Sequence, residues 1–120
     1  MARLPVEIRQ GDVYWSDFGP VTDSAPAGRR PCVVVQNDLL NRSGLHTTVV
    51  CGMTSNLARA EVSINVLLRK GEGGLPRASV VNVSQLTTVD KIELVEKLGR
   101  LSADRIDAIH AGISRLTERV

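Results

Sequence analysis

The chain has 120 residues, 42% of them apolar and 23% charged, and a formal net charge of +2. That length supports one domain over 1–120 with a single modest core and excludes two. The small positive charge permits a nucleic-acid partner without arguing for one, because a local basic patch matters more than a total.

No stretch approaches the roughly 20 apolar residues of a membrane span, and the opening MARLPVEIRQ lacks the apolar core of a secretory signal, so a cytoplasmic location is expected. The only aromatic residues are Tyr14, Trp15 and Phe18, so the core must rest on Val, Leu and Ile. VYWSDF (13–18) is rich in β-branched and aromatic residues and predicts a strand. GPVTDSAPAGRR (19–30), with two prolines and two glycines, predicts a long loop, which in a compact domain usually serves function.

PCVVVQN (31–37) is nearly all apolar and predicts a strand covered on both faces. Turn signals at 37–44 lead to its expected antiparallel neighbour, HTTVVCGMT (46–54). Val62, Ile64 and Val66 alternate with Ser63 and Asn65, predicting a half-buried strand over 61–68. KGEGGLPRA (70–78) predicts a turn and SVVNV (79–83) another strand, and the stretch 84–102 admits a helical turn followed by a further strand. Ser102 is a good N-cap, Asp104 complements the first turn, and Ile106, Ile109, Ile113, Leu116 and Val120 recur at helical spacing. The pattern is mainly β with helices (α+β): a small, strongly twisted, mostly antiparallel barrel ending in an amphipathic helix.

Pairing 31–37 with 46–54 about the intervening loop places Arg30 opposite Thr54 at one end of the hairpin, with Cys32 and Cys51 near neighbours. The long proline-containing loop reaches the same end. A guanidinium binds two phosphate oxygens at once and a hydroxyl adds one donor, so arginine, threonine and loop form a cradle for a phosphodiester. An Arg-Pro pair before a strand is, in most proteins, a solvated edge. Neither cysteine has metal-ligand spacing, so no metal, cofactor or disulfide framework is expected, and both should be small buried hydrophobes. His46 and His110 are expected to be structural or solvent-facing.

GDVYWSDF (11–18), RRPCVVVQND (29–38), Asn41, MTSN (53–56), SVVNVSQLTTVDK (79–91) and LGRLS (98–102) occur in one order along nearly the whole chain. On these motifs the sequence resembles the MazF/PemK family of toxin endoribonucleases. The resemblance implies an SH3-like barrel, a homodimer, a cognate antitoxin and metal-independent cutting of single-stranded RNA. It also implies attack by the 2′-hydroxyl, leaving 2′,3′-cyclic phosphate and 5′-hydroxyl ends. Carried over by motif, Arg30 and Thr54 are the catalytic pair; Ser24, Arg29, Ser55 and Gln85 contact RNA; and Asn37 and Asn41 help shape the site. The chain departs from the family at Asp23-Ser24-Ala25, where many members read Gly-Ser-Glu, and at Ser84, where some carry an acid. Two alternatives stay open: a toxin of related fold that poisons DNA gyrase by binding it, and an inactive member that only binds antitoxin.

Overall fold

The computed structural model describes residues 7–17, 29–94 and 96–120. Six strands form one antiparallel sheet: β1 (Asp12–Ser16), β2 (Arg30–Val34), β3 (Thr47–Thr54), β4 (Val66–Leu68), β5 (Ser79–Asp90) and β6 (Glu96–Arg100), in the order β4-β5-β3-β2-β1-β6. Two helices complete the fold, the single turn α1 (Asp38–Asn41) and the C-terminal α2 (Ala103–Leu116).

The central strands are buried on both faces, as the nearly continuous apolar run at 31–37 predicts. Val13, Val33, Cys51, Met53, Val81 and Val83 face one cluster, which also takes in Ile109 of α2. Tyr14, Cys32, Val34, Val50 and Val89 face a second cluster on the other side. Alternation along each strand produces the split. Cys32 is paired with Gly52 and Val33 with Cys51, so the two thiols leave the sheet on opposite faces and are not the side-chain neighbours expected from the sequence. Burial pushes both up to about 12. Tyr14 is likewise pushed to about 12, first by burial and then by the negative charge of Asp12.

Ser102 caps α2 by accepting from the Arg105 N–H at 3.3 Å, and Ile106, Ile109 and Ile113 seat the helix on the sheet. Leu116 and Val120, the last two positions of the expected stripe, are exposed. The helix approaches closely at Gly112, where a Cβ would lie 2.3 Å from the Ile64 carbonyl oxygen.

Three local expectations are corrected. The strand expected over 61–68 is only Val66–Leu68; Leu57–Glu61 is a 3₁₀ turn, and Val62 is exposed. The Asn65 side chain explains the change: its Oδ1 accepts the Val83 N–H at 3.0 Å and its Nδ2 donates to Asn82 Oδ1 at 3.2 Å. It thus bonds across to β5 instead of lying on a solvent face. The strand expected to end at Val83 continues to Asp90, followed by a 3₁₀ turn at Lys91–Glu93. The connection at 37–44 contains α1, nucleated when Asn37 Oδ1 accepts the Leu40 N–H at 2.9 Å.

β5 stays one strand by bulging. β3 advances two residues from Cys51 to Met53 while β5 advances five, from Leu86 back to Val81. The extra residues fall at Asn82–Gln85, and they bend the strand there.

Candidate active site

Arg30 opens β2 and Thr54 closes β3. The observed pairs are Cys32↔Gly52, Val33↔Cys51 and Val34↔Val50, and the same register extended by two residues sets Arg30 opposite Thr54. Even-numbered positions on both strands share a face, so guanidinium and hydroxyl project to the same side. The two residues form the wall common to two adjoining grooves.

The first groove, about 260 Å³, has apolar walls of Trp15, Pro31, Met53 and Pro76, with Arg29, Ser55, Arg77 and Ser79 around them. The second, about 350 Å³, is polar throughout: besides the common pair it is lined by Asn56, Arg59, Asn82, Ser84 and Gln85. The β5 bulge carries Asn82, Ser84 and Gln85 into this second groove, and Asn82 Nδ2 comes within 3.5 Å of Gln85 Oε1. Four arginines and no Asp or Glu line the two grooves among the described residues. His46 and His110 are exposed and border neither.

Local bonds orient the common wall. Thr54 Oγ1 accepts the Asn56 N–H at 3.2 Å, which occupies one acceptor position and leaves the hydroxyl's own proton available as a donor. Asn56 in turn caps the 3₁₀ turn at Leu57–Glu61, its Oδ1 accepting the Ala58 N–H at 3.2 Å. Arg29, beside Arg30, lies 4.9 Å over the Trp15 ring and pairs with Glu96. Its charge is therefore partly answered within the protein, and it serves the first groove as a braced wall.

Of the positions expected from the sequence, Arg30, Thr54, Arg29, Ser55 and Gln85 come together at these grooves. Ser24 lies outside the described residues, as do Asp23, Ala25 and Phe18. Asn37 and Asn41 border neither groove. Asn37 is spent on capping α1. Asn41 is buried: its Oδ1 accepts from Gln36 Nε2 at 2.9 Å and Thr48 Oγ1 at 2.8 Å, and its carbonyl accepts from Lys91 Nζ at 2.7 Å. Both asparagines brace the β2–β3 connection and so fix the register that opposes Arg30 to Thr54. Sequence reasoning missed Arg59, Arg77 and Asn82. The first two sit in connections that read only as turn chemistry, and Asn82 enters the groove through a bulge that no local pattern announces.

Residues 9–117 match the model of the PemK-like, MazF-like toxin of type II toxin–antitoxin systems. The chain is 38% identical over 111 residues to endoribonuclease MazF6 of Mycobacterium tuberculosis, covering 92% of this chain and 97% of that protein, and equally to endoribonuclease MazF2 of Mycobacterium bovis. Among solved structures, a MazE–MazF complex from Deinococcus radiodurans superposes with a TM-score of 0.72 at 20% identity, over 96% of this chain and 99% of that one. A mycobacterial endoribonuclease in complex with its cognate antitoxin gives 0.69 at 21% identity, over 91% of each chain. With the family model matching residues 9–117 and relatives 38% identical over 92% of it, the chain belongs to the PemK-like, MazF-like toxin family of type II toxin–antitoxin systems.

Proposed function

We propose that this chain is the toxin of its system and acts as a sequence-specific, metal-independent endoribonuclease on single-stranded RNA, with Arg30 and Thr54 as its catalytic residues. One observation carries the assignment: the two stand on the wall shared by two adjoining grooves that no described carboxylate enters. A phosphodiester held on that wall has a nucleotide to either side and the Arg30 guanidinium beneath it.

In the reaction, the 2′-oxygen bonds to phosphorus as the 2′-proton passes to solvent. The bond from phosphorus to the 5′-oxygen breaks, and that oxygen takes up a proton. The products are a 2′,3′-cyclic phosphate and a 5′-hydroxyl. Charge builds on the non-bridging oxygens, where the planar fork of Arg30 holds two positions and the Thr54 hydroxyl donates a third bond. Ser55 and Gln85 contact the RNA, one in each groove. Duplex RNA resists, because A-form geometry keeps the 2′-oxygen out of line with the leaving oxygen.

The protein works in the cytoplasm as a homodimer and is neutralised by a cognate antitoxin. Exposed Leu45 and Ile92, which border one cleft, support burial against another chain. The test is incubation of purified protein with a mixed single-stranded RNA in excess chelator, followed by end analysis. Cleavage with cyclic-phosphate ends is expected; activity lost in chelator and restored by a divalent ion would refute the reading.

A further inference from the structure

The two grooves hold more positive charge than the catalytic pair needs. Arg77 stands in the first and Arg59 in the second, on opposite sides of the Arg30–Thr54 wall. Some of the chain's cations meet acids: Glu96 takes Arg29 at the first groove, Asp12 takes Lys97 and Arg100, and Glu72 takes Arg105. Arg59 and Arg77 are exposed and make no ion pair among the described residues.

Both are carried on braced backbone. The Arg59 carbonyl accepts from Asn65 Nδ2 at 3.1 Å and from the Val62 N–H at 3.2 Å. The Arg77 carbonyl accepts from the hydroxyl of buried Ser79 at 3.1 Å, and Leu75, two residues earlier, is buried. The turn before it is tied to α2 by Arg105, whose guanidinium donates to both Glu72 oxygens at 2.8 and 3.2 Å. Two unpaired guanidinium groups on fixed turns, one on each side of a phosphate-binding wall, suit a ligand with regularly repeated negative charge.

We infer that Arg59 and Arg77 hold the phosphates flanking the scissile one, so that a single RNA strand crosses from one groove to the other over Arg30 and Thr54. The inference rests on that pair being the cleavage centre. It gives the grooves different tasks. The first, walled by Trp15, Met53 and Pro76, takes a base by stacking and shape. The second, with Asn56, Asn82 and Gln85, offers amide donors and acceptors to a base edge.

The test measures binding of an all-2′-deoxy analogue of a cleaved RNA, which lacks the attacking hydroxyl, by fluorescence anisotropy. Each phosphate contact on a single strand contributes about 0.7 to the slope of log affinity against log salt, measured between about 50 and 400 mM. Arg59→Ala and Arg77→Ala are each expected to lower the slope by about 0.7 and together by about 1.4. Arg115→Ala, on an exposed part of α2, should keep the parent slope. A parent slope in either groove variant overturns the inference, since the strand then does not cross both grooves. The cleavage reading fails separately: a parent that binds the analogue but leaves the matching RNA intact refutes cleavage and not the path.

Discussion

Arg30→Lys keeps the positive charge at the common wall and removes the planar pair of donors, so it separates attraction from alignment. Arg30 stands at the start of a strand whose Cys32, Val33 and Val34 are paired with Gly52, Cys51 and Val50, so its guanidinium would reach a phosphate from a rigid base. Loss of a donor aimed at developing transition-state charge costs about 10²–10³ in rate, or about 3–4 kcal/mol. Thr54→Val keeps the shape and deletes the hydroxyl. A hydrogen bond to a charged group is worth about 1.5–3 kcal/mol, roughly ten- to a hundredfold in rate. The Asn56 N–H released by that change sits on an exposed residue and can turn to water, so stability should hardly move. The assay is single-turnover cleavage of a fluorophore–quencher RNA at saturating protein, with the analogue titration reporting binding alongside. Both variants should bind nearly as the parent does, and the double variant should lose less than the two single losses combined, because both act on one phosphate. Arg29→Ala, whose charge already meets Glu96 and Trp15, should weaken binding and leave the chemical step standing. If Arg30→Lys cleaves at the parent rate, or Arg29→Ala is the dead variant, the wrong arginine has been assigned.

Two further outcomes test the frame that holds the grooves. Arg105, followed by the backbone N–H of Arg69, holds Glu72 below the usual carboxylate range. Stability from this pair is therefore present above that range and lost as pH falls through the depressed value; Glu72→Gln should lower stability by up to about 1 kcal/mol at neutral pH for so accessible a pair, a gap that thermal melts should show closing in acid. Gly112→Ala gains about 1 kcal/mol of helix propensity, yet its Cβ would lie 2.3 Å from the Ile64 carbonyl and 3.2 Å from Val83 Cγ2. Backbone cannot rotate aside, so an overpacking cost of about 1–3 kcal/mol should leave the variant up to about 2 kcal/mol less stable by denaturant titration, and a stabilised variant would contradict the packing of α2.

What was legible in the sequence is what depends on short-range arithmetic. A hairpin's register follows from where its turn sits, and that alone opposes Arg30 to Thr54. The final helix is legible because Ser102 and the isoleucine spacing act within one element. Alternation at 62–66 misleads because it records only which side chains are apolar. The decision lies with Asn65, whose amide is committed to Val83 and Asn82 of another strand. The same limit hides the β5 bulge: the stretch from Ser84 admits a helical turn by local pattern, and only the pairing of Leu86–Asp90 with β3 shows that the strand runs on past Asn82–Gln85. Cys32 and Cys51 were placed together by counting, but a single step of register decides the face, and observed pairing sends one thiol into each cluster.

Net charge hides the site for a related reason. A total of +2 describes a chain with 15 basic and 13 acidic residues, nearly balanced as a whole. The balance is not local. Asp12, fully buried, holds Lys97 and Arg100 where β1 meets β6, and Glu72 holds Arg105 of α2. Each of these acids is spent on fastening an edge or a helix, and none borders the grooves. Arg59 and Arg77 are thereby left with their charge unopposed among the described residues, at positions where the turns cannot yield. An acid placed in the grooves would supply a proton acceptor, but it would also neutralise an arginine and repel the phosphate. With Ser84 in the second groove, no carboxylate stands in either groove among the described residues to serve as a base. On the proposed reading, catalysis would rest on holding the transition-state charge and aligning the 2′-oxygen, tasks given to a strand-borne guanidinium and the hydroxyl across from it.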